Sequence, residues 1–115
     1  MVVSHAKAGL ELPAAEPVLL GELTAYQGAG VVSRTLINRK AGTITLFAFD
    51  EGQELSEHTA PFDALVQVVE GKAEIIISGK SFHLTSGDAI IMPANDPHAV
   101  KATGQFKMLL TMIRA

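Results

Sequence analysis

The sequence predicts an antiparallel all-β domain. From about residue 19 onward, short runs rich in Val, Ile, Leu, Phe and Thr follow one another, Gly, Pro, Asn and Asp punctuate them, and no helical period is sustained beyond about three turns. At 115 residues and 12.1 kDa the chain has room for one hydrophobic core and not for two ordinary ones. With 48% hydrophobic and 18% charged residues it can bury enough apolar surface to fold.

Residues 1–18 hold Pro13 and Pro17, several alanines and no period, and are expected to form an extended N-terminal arm before a domain at 19–115. His5, within that arm, is expected to be a solvated side chain. Strands are then expected at Val31–Asn38, Thr43–Asp50, Glu54–His58, Ala64–Glu70, Lys72–Ser78, Lys80–Leu84, Ala89–Met92, His98–Ala102 and Phe106–Arg114. Ser78-Gly79 suits a two-residue hairpin loop, which needs residues that tolerate positive φ. Gly71 and Gly87 are expected to mark two more reversals, and Pro93 to close a strand because it cannot donate to a ladder. Ile44–Phe49 and Leu65–Val69 are apolar at nearly every position, which implies burial on both faces. One face would be the interior of a barrel; the other would be covered by the arm or by a second subunit, so a homodimer is expected.

Composition excludes several functions. A net charge of −3 with no Lys/Arg cluster is poor material for neutralising phosphates, and five Phe, one Tyr and no Trp make a weak base-stacking platform, so nucleic acid is not expected as a partner. The absence of cysteine removes disulfides, thiolate ligands and Cys nucleophiles together. Polar residues and prolines interrupt Met1–Leu20, so no secretory leader is expected and the location is expected to be cytoplasmic. No run approaches the roughly 18 apolar residues of a membrane-spanning helix, so no membrane partner is expected.

The four histidines differ in setting. His83 lies between Phe82 and Leu84, so strand alternation turns it outward if those two point in. His58 and His98 each sit at a strand end beside turn-forming residues. Around them the sequence resembles the cupin family. Its first motif (Gly, five residues, His-x-His, three or four residues, Glu, six residues, Gly) falls on Gly52, His58, Ala60, Ala64 and Gly71. Its second motif (Gly, five residues, Pro-x-Gly, two residues, His, three residues, Asn) falls on Gly87, Pro93, Asn95, His98 and Ala102. The resemblance covers about residues 43–113 and implies a jelly-roll barrel, the double-stranded β-helix. Asn95, in place of the family glycine, is the next most tolerant residue of a left-handed conformation, so the turn should survive.

In metal-binding cupins the two first-motif histidines, the Glu and the second-motif His converge on one divalent ion. Here Ala60 and Ala64 replace a His and the Glu, leaving His58 and His98 as the metal ligands that the resemblance implies. The cofactor expectation is therefore one weakly bound divalent transition metal, or none, because two imidazoles without a carboxylate make a weak, unselective site. Glu54, Glu57, Asp63 and Gln67 are the candidate substitutes, although alternation turns Glu57 away from His58. Three readings of the pair stay open: hydrogen-bonded pocket residues, ligands of a metal completed by water or an organic molecule, and a catalytic general base at His58 or His98.

The two alanines also remove bulk, and the expected ligand pocket comprises His58, Ala60, Ala64, Val66, Met92, His98, Val100 and Met108. The functional expectation is a barrel that binds a small organic ligand. The alternative is an enzyme: a metal-dependent oxygenase, isomerase or decarboxylase with a reduced ligand set, or a metal-free isomerase. For the isomerase version the resemblance implies a His paired with an acidic partner and a Tyr acid, as in a metal-free epimerase of the cupin superfamily, and the only tyrosine, Tyr26, stands outside the motif region.

Overall fold

The computed structural model describes residues 3–5 and 11–114. Nine strands account for its regular structure: β1 (Val3–His5), β2 (Val31–Arg39), β3 (Gly42–Phe49), β4 (Glu54–His58), β5 (Ala64–Ile77), β6 (Lys80–Thr85), β7 (Ala89–Met92), β8 (His98–Lys101) and β9 (Phe106–Ile113). A single 3-10 turn at Leu20–Glu22 is the one helical element among the described residues. The fold is the jelly-roll barrel. One sheet runs β1-β2-β3-β9-β5-β7 and the other β6-β5-β8-β4, with β5 common to both.

The sharing of β5 corrects two expectations. Ala64–Glu70 and Lys72–Ser78 are not separate strands, and Gly71 is not a reversal. The first half of β5 pairs with β9 and β7, the register shifts between Val68 and Glu70, and the second half pairs with β8 and β6. Gly71 carries the bend with φ +82°, and a Cβ there would overlap the Gln105 carbonyl oxygen and lie 2.7 Å from Phe106 Cβ. The bulge turns the strand from one sheet into the other without ending it, as bulges do at barrel corners. Gly87 is not a reversal either. Both β6 and β7 run antiparallel to β5, so the chain steps along β5 through the 85–88 turn and continues in the same direction. Sequence alone makes a glycine next to a polar residue look like a turn; whether the chain reverses or bends depends on pairing partners far away.

The hairpin at Ser78-Gly79 forms as expected, with φ +49° and +81° at its two residues, the combination that matches the twist of the flanking strands. Asn95 adopts the left-handed conformation at φ +68°. Val31, Phe49, Val66, Ile75, Val100, Phe106 and Met108 are 0–1% exposed and belong to one core drawn from both sheets. Phe49 and Phe106 stack with ring centroids 4.5 Å apart and planes 11° apart. His83 is exposed, while Phe82 and Leu84 on either side pack inward.

The outer face of the first sheet is partly covered by residues 11–27. Leu12 N donates to Leu36 O, Arg34 Nη1 to Leu23 O, and Lys107 Nζ to Gly21 O at 2.5 Å. Lys107 is only 7% exposed. It lies over the Tyr26 ring, 4.9 Å from its centroid, and 3.9 Å from Glu70, which accepts a 2.6 Å hydrogen bond from the Tyr26 hydroxyl. Burial, reinforced by that carboxylate, holds the Tyr26 hydroxyl in its neutral form to unusually high pH. Within the expected arm, Val3–His5 pairs in parallel with β2 at Val31–Ser33. The side chain of His5 lies outside the described residues.

Candidate functional site

The two motif histidines meet where β4 ends and β8 begins. Leu55 pairs with Val100 and His58 with His98, so three steps along β4 match two along β8. Without that extra residue Leu55 and His58 would face opposite ways; the bulge lets Leu55 pack on the core and still brings His58 beside His98. The loop before β8 is anchored by Asn95 N donating to Ala60 O at 2.7 Å and Ala94 N donating to Asp63 Oδ1 at 2.8 Å. The left-handed Asn95 is what aims its amide at Ala60, so the variant Pro93-Ala94-Asn95 turn ties the two motifs together.

The ring nitrogens define the chemistry. His58 Nδ1 lies 2.7 Å from Ser56 O and His98 Nδ1 lies 3.1 Å from Asp96 O, each the main-chain carbonyl two residues earlier. Carbonyl oxygens only accept, so both Nδ1 atoms carry the proton and both Nε2 atoms present a lone pair. Those two Nε2 atoms face one another at 3.2 Å, with the rings edge-on at 72°. Two neutral imidazoles in this tautomer cannot hydrogen-bond to each other. His98 is 4% exposed and His58 is exposed, so one ring closes the interior and the other stands at the rim. Burial pushes the His98 pKa below the usual imidazole value; the Asp96 carbonyl opposes this in part and the neighbouring His58 adds to it.

The other expected pocket residues divide by depth. Ala60 is half-buried at the rim. Ala64, Val66, Met92, Val100 and Met108 are 0–3% exposed, packed among themselves and their core neighbours behind the histidines. None of the candidate substitute ligands joins the pair. Glu54, Glu57 and Gln67 are exposed, and Asp63 turns to the Ala94 amide. Among the described residues no three His, Cys, Asp or Glu side chains converge on one point. The resemblance supplied the pair; it had nothing to say about Tyr26, Glu70 and Lys107. The one sequence signal for that cluster was a lysine inside the apolar run Phe106-Lys107-Met108, where alternation puts it on the covered outer face.

Comparison with known proteins agrees with this architecture. The cupin-domain family model matches residues 45–114. The chain is similar to a conserved protein of unknown function from Streptococcus pyogenes, at 35% identity over 92% of this chain and 93% of that one, with a TM-score of 0.87. It is similar to a cupin-superfamily protein from Desulfitobacterium hafniense, at 30% identity over 90% and 95% of the two chains, with a TM-score of 0.85. A cupin 2 conserved barrel domain protein from Leptotrichia buccalis is 38% identical over 82% of this chain and 46% of its own length, with a TM-score of 0.79. No curated protein matches the sequence.

Proposed function

The chain belongs to the cupin-domain family, and on that premise we propose that it is a small-molecule-binding barrel whose ligand is anchored at the barrel rim by the paired Nε2 atoms of His58 and His98. The observation that carries this reading is the arrangement of the two Nδ1 atoms. Each is committed to a carbonyl, so two lone pairs converge with no donor of the protein between them. A partner with an acidic O–H or N–H supplies what the pair lacks. A proton delivered to either Nε2 makes an imidazolium that bonds the other ring, and the carboxylate left beside it is held by the opposite charge. Small organic acids are therefore the ligand class.

The resident metal of the family does not fit the residues present. A divalent ion at this point would have two imidazole donors, with Ala60 and Ala64 where a third nitrogen and the anionic oxygen would stand, and no carboxylate within the cluster.

A metal-free enzyme is the second reading, favoured by one observation: burial keeps His98 neutral, as a general base near neutral pH requires. Tyr26 does not serve as its acid, because its hydroxyl is bonded to Glu70 on the outer face.

The test is the ring-nitrogen NMR spectrum of histidine-labelled protein above neutral pH. Both rings are expected in the Nδ1–H tautomer, with both Nε2 resonances moving on titration with small carboxylic acids and unmoved in H58A/H98A. An Nε2–H tautomer on either ring would mean that the pair satisfies itself, and the reading would fail. A stoichiometric metal in protein prepared without chelators would refute it as well.

A further inference from the structure

A second feature lies on the opposite side of the first sheet. The pairings Ile37↔Ile44, Ile44↔Thr111, Thr111↔Leu65 and Leu65↔Ile91 run straight across β2, β3, β9, β5 and β7, which places these five side chains in one row. Their neighbours along the strands, among them Ala64, Val66, Ile90 and Met92, face the core, so the row faces out. The segment that covers the other end of this face does not cover the row: Ile37 is 40% exposed, Ile91 58% and the adjacent Ile113 53%. Large apolar side chains left in a contiguous band mark an interaction surface.

Three properties of the band identify its partner as another copy of itself. The row is close to a palindrome about Thr111, with Ile44 and Leu65 on either side and Ile37 and Ile91 beyond them. Its relief is self-matching too. Ile113 stands between two hollows, one of about 230 Å³ bordered by Ile37, Ile44 and Met112, and one of about 350 Å³ bordered by Asp63, Leu65 and Ile91. Its charges are opposite at the two ends. Lys40 and Arg114 gather at the Ile37 end beside Arg39, which is itself paired with Glu11 at 2.8 Å, and Arg114 Nη1 donates to Arg39 O, so the excess charge there is positive. Asp63 borders the Ile91 end and forms no salt bridge among the described residues.

We propose that this band is an isologous dimer interface, with a two-fold axis passing near Thr111 that sets Ile37 of one copy against Ile91 of the other. The rotation also brings each Asp63 toward the basic end of its partner and the two Ile113 side chains, which share β9 with Thr111, toward one another, with the hollows facing each other on either side. A C2 contact is self-complementary in this sense: residue i meets j and j meets i. The interface lies on the outer face of the sheet and leaves the histidine rim open, so it is independent of the ligand reading.

Sedimentation across a dilution series tests the proposal. Wild type is expected at twice the 12.1 kDa chain mass, and I91E and I113E at the monomer mass with unchanged far-UV circular dichroism. H83E, on the exposed face of β6, serves as the charge control and should remain dimeric. Should either isoleucine variant fail to fold, cysteine mapping decides, since the natural chain has no cysteine. T111C is expected to cross-link to itself with a short bis-maleimide. I37C alone should not, because its two copies would lie about four strand spacings, or about 19 Å, apart. An equimolar mixture of I37C and I91C should cross-link. A monomeric wild type, dimers that survive both glutamate variants, or I37C self-linking would each overturn the proposal.

Discussion

Gly71 closes the first motif and Gly87 opens the second, and they have nearly the same backbone conformation, φ +82° and +93°, yet alanine should be tolerated at only one of them. An L-residue in the left-handed region costs about 1–2 kcal/mol. Replacing glycine also removes freedom from the unfolded chain, which returns about 0.4–1 kcal/mol. At Gly87 a Cβ meets nothing within 4 Å, so the net cost of Gly87→Ala should be about 1 kcal/mol. At Gly71 the same methyl would overlap the Gln105 carbonyl and crowd Phe106 at 2.7 and 2.8 Å. Relief requires β9 to move, and Phe106 cannot move freely because it is fully buried against the Phe49 ring. Forcing atoms into packed space adds about 1–3 kcal/mol, so Gly71→Ala should cost about 2–4 kcal/mol in all. The assay is urea unfolding followed by far-UV circular dichroism, since the chain has no tryptophan to report by fluorescence. With a common slope, the Gly71 variant should have the lower midpoint by at least about 1 kcal/mol divided by m. Equal midpoints would show that β9 yields without cost and that the corner is not closely packed.

Folding stability should fall on acidification through about pH 6.5, because burial lowers the folded-state pKa of His98 and the unfolded chain therefore takes up that proton first; urea titrations across that range should show the slope, and H98Q should flatten it. Tyr26→Phe removes the 2.6 Å bond to the Glu70 carboxylate and should cost about 1 kcal/mol at this half-buried site, read as a midpoint shift. Lys107→Met leaves the Gly21 carbonyl without its donor, and chymotrypsin should cut the Leu19–Leu23 segment several-fold faster than in wild type. The double variant A60H/A64E restores both missing family positions and should acquire one divalent metal per chain by elemental analysis; if it does not, the pair at 58 and 98 lies outside the family's metal geometry.

The sequence was most legible where local chemistry decides. The strands Glu54–His58 and Ala89–Met92 have the expected bounds, the Ser78-Gly79 hairpin follows from its residues, and the left-handed Asn95 follows from the glycine it replaces. Gly71 and Gly87 went astray because a glycine signals unusual φ and not what the chain does next. Gly71 bends one strand between two sheets, a property of its pairing with Phe106, 35 residues later in sequence. Motif spacing brought His58 and His98 forward together. The tautomers that give the pair its character could not be read, because they depend on the Ser56 and Asp96 carbonyls and hence on the bulge in β4. Lys107, Glu70 and Tyr26 are 37 and 44 residues apart in successive steps of the chain, too distant for any local pattern to join them.

The long fifth strand has a consequence for how the molecule comes apart. Because its first half is hydrogen-bonded into one sheet and its second half into the other, neither sheet can be peeled away without severing the backbone ladder of its companion. The protein should therefore melt in a single transition, with the slowest amide protons on both sides of Gly71 exchanging at a shared rate set by global opening. Assembly must wait on the same strand. Its partner β6 follows it directly in sequence, but its register is completed only when the C-terminal strand β9 arrives, so folding should be slow for a chain of this length.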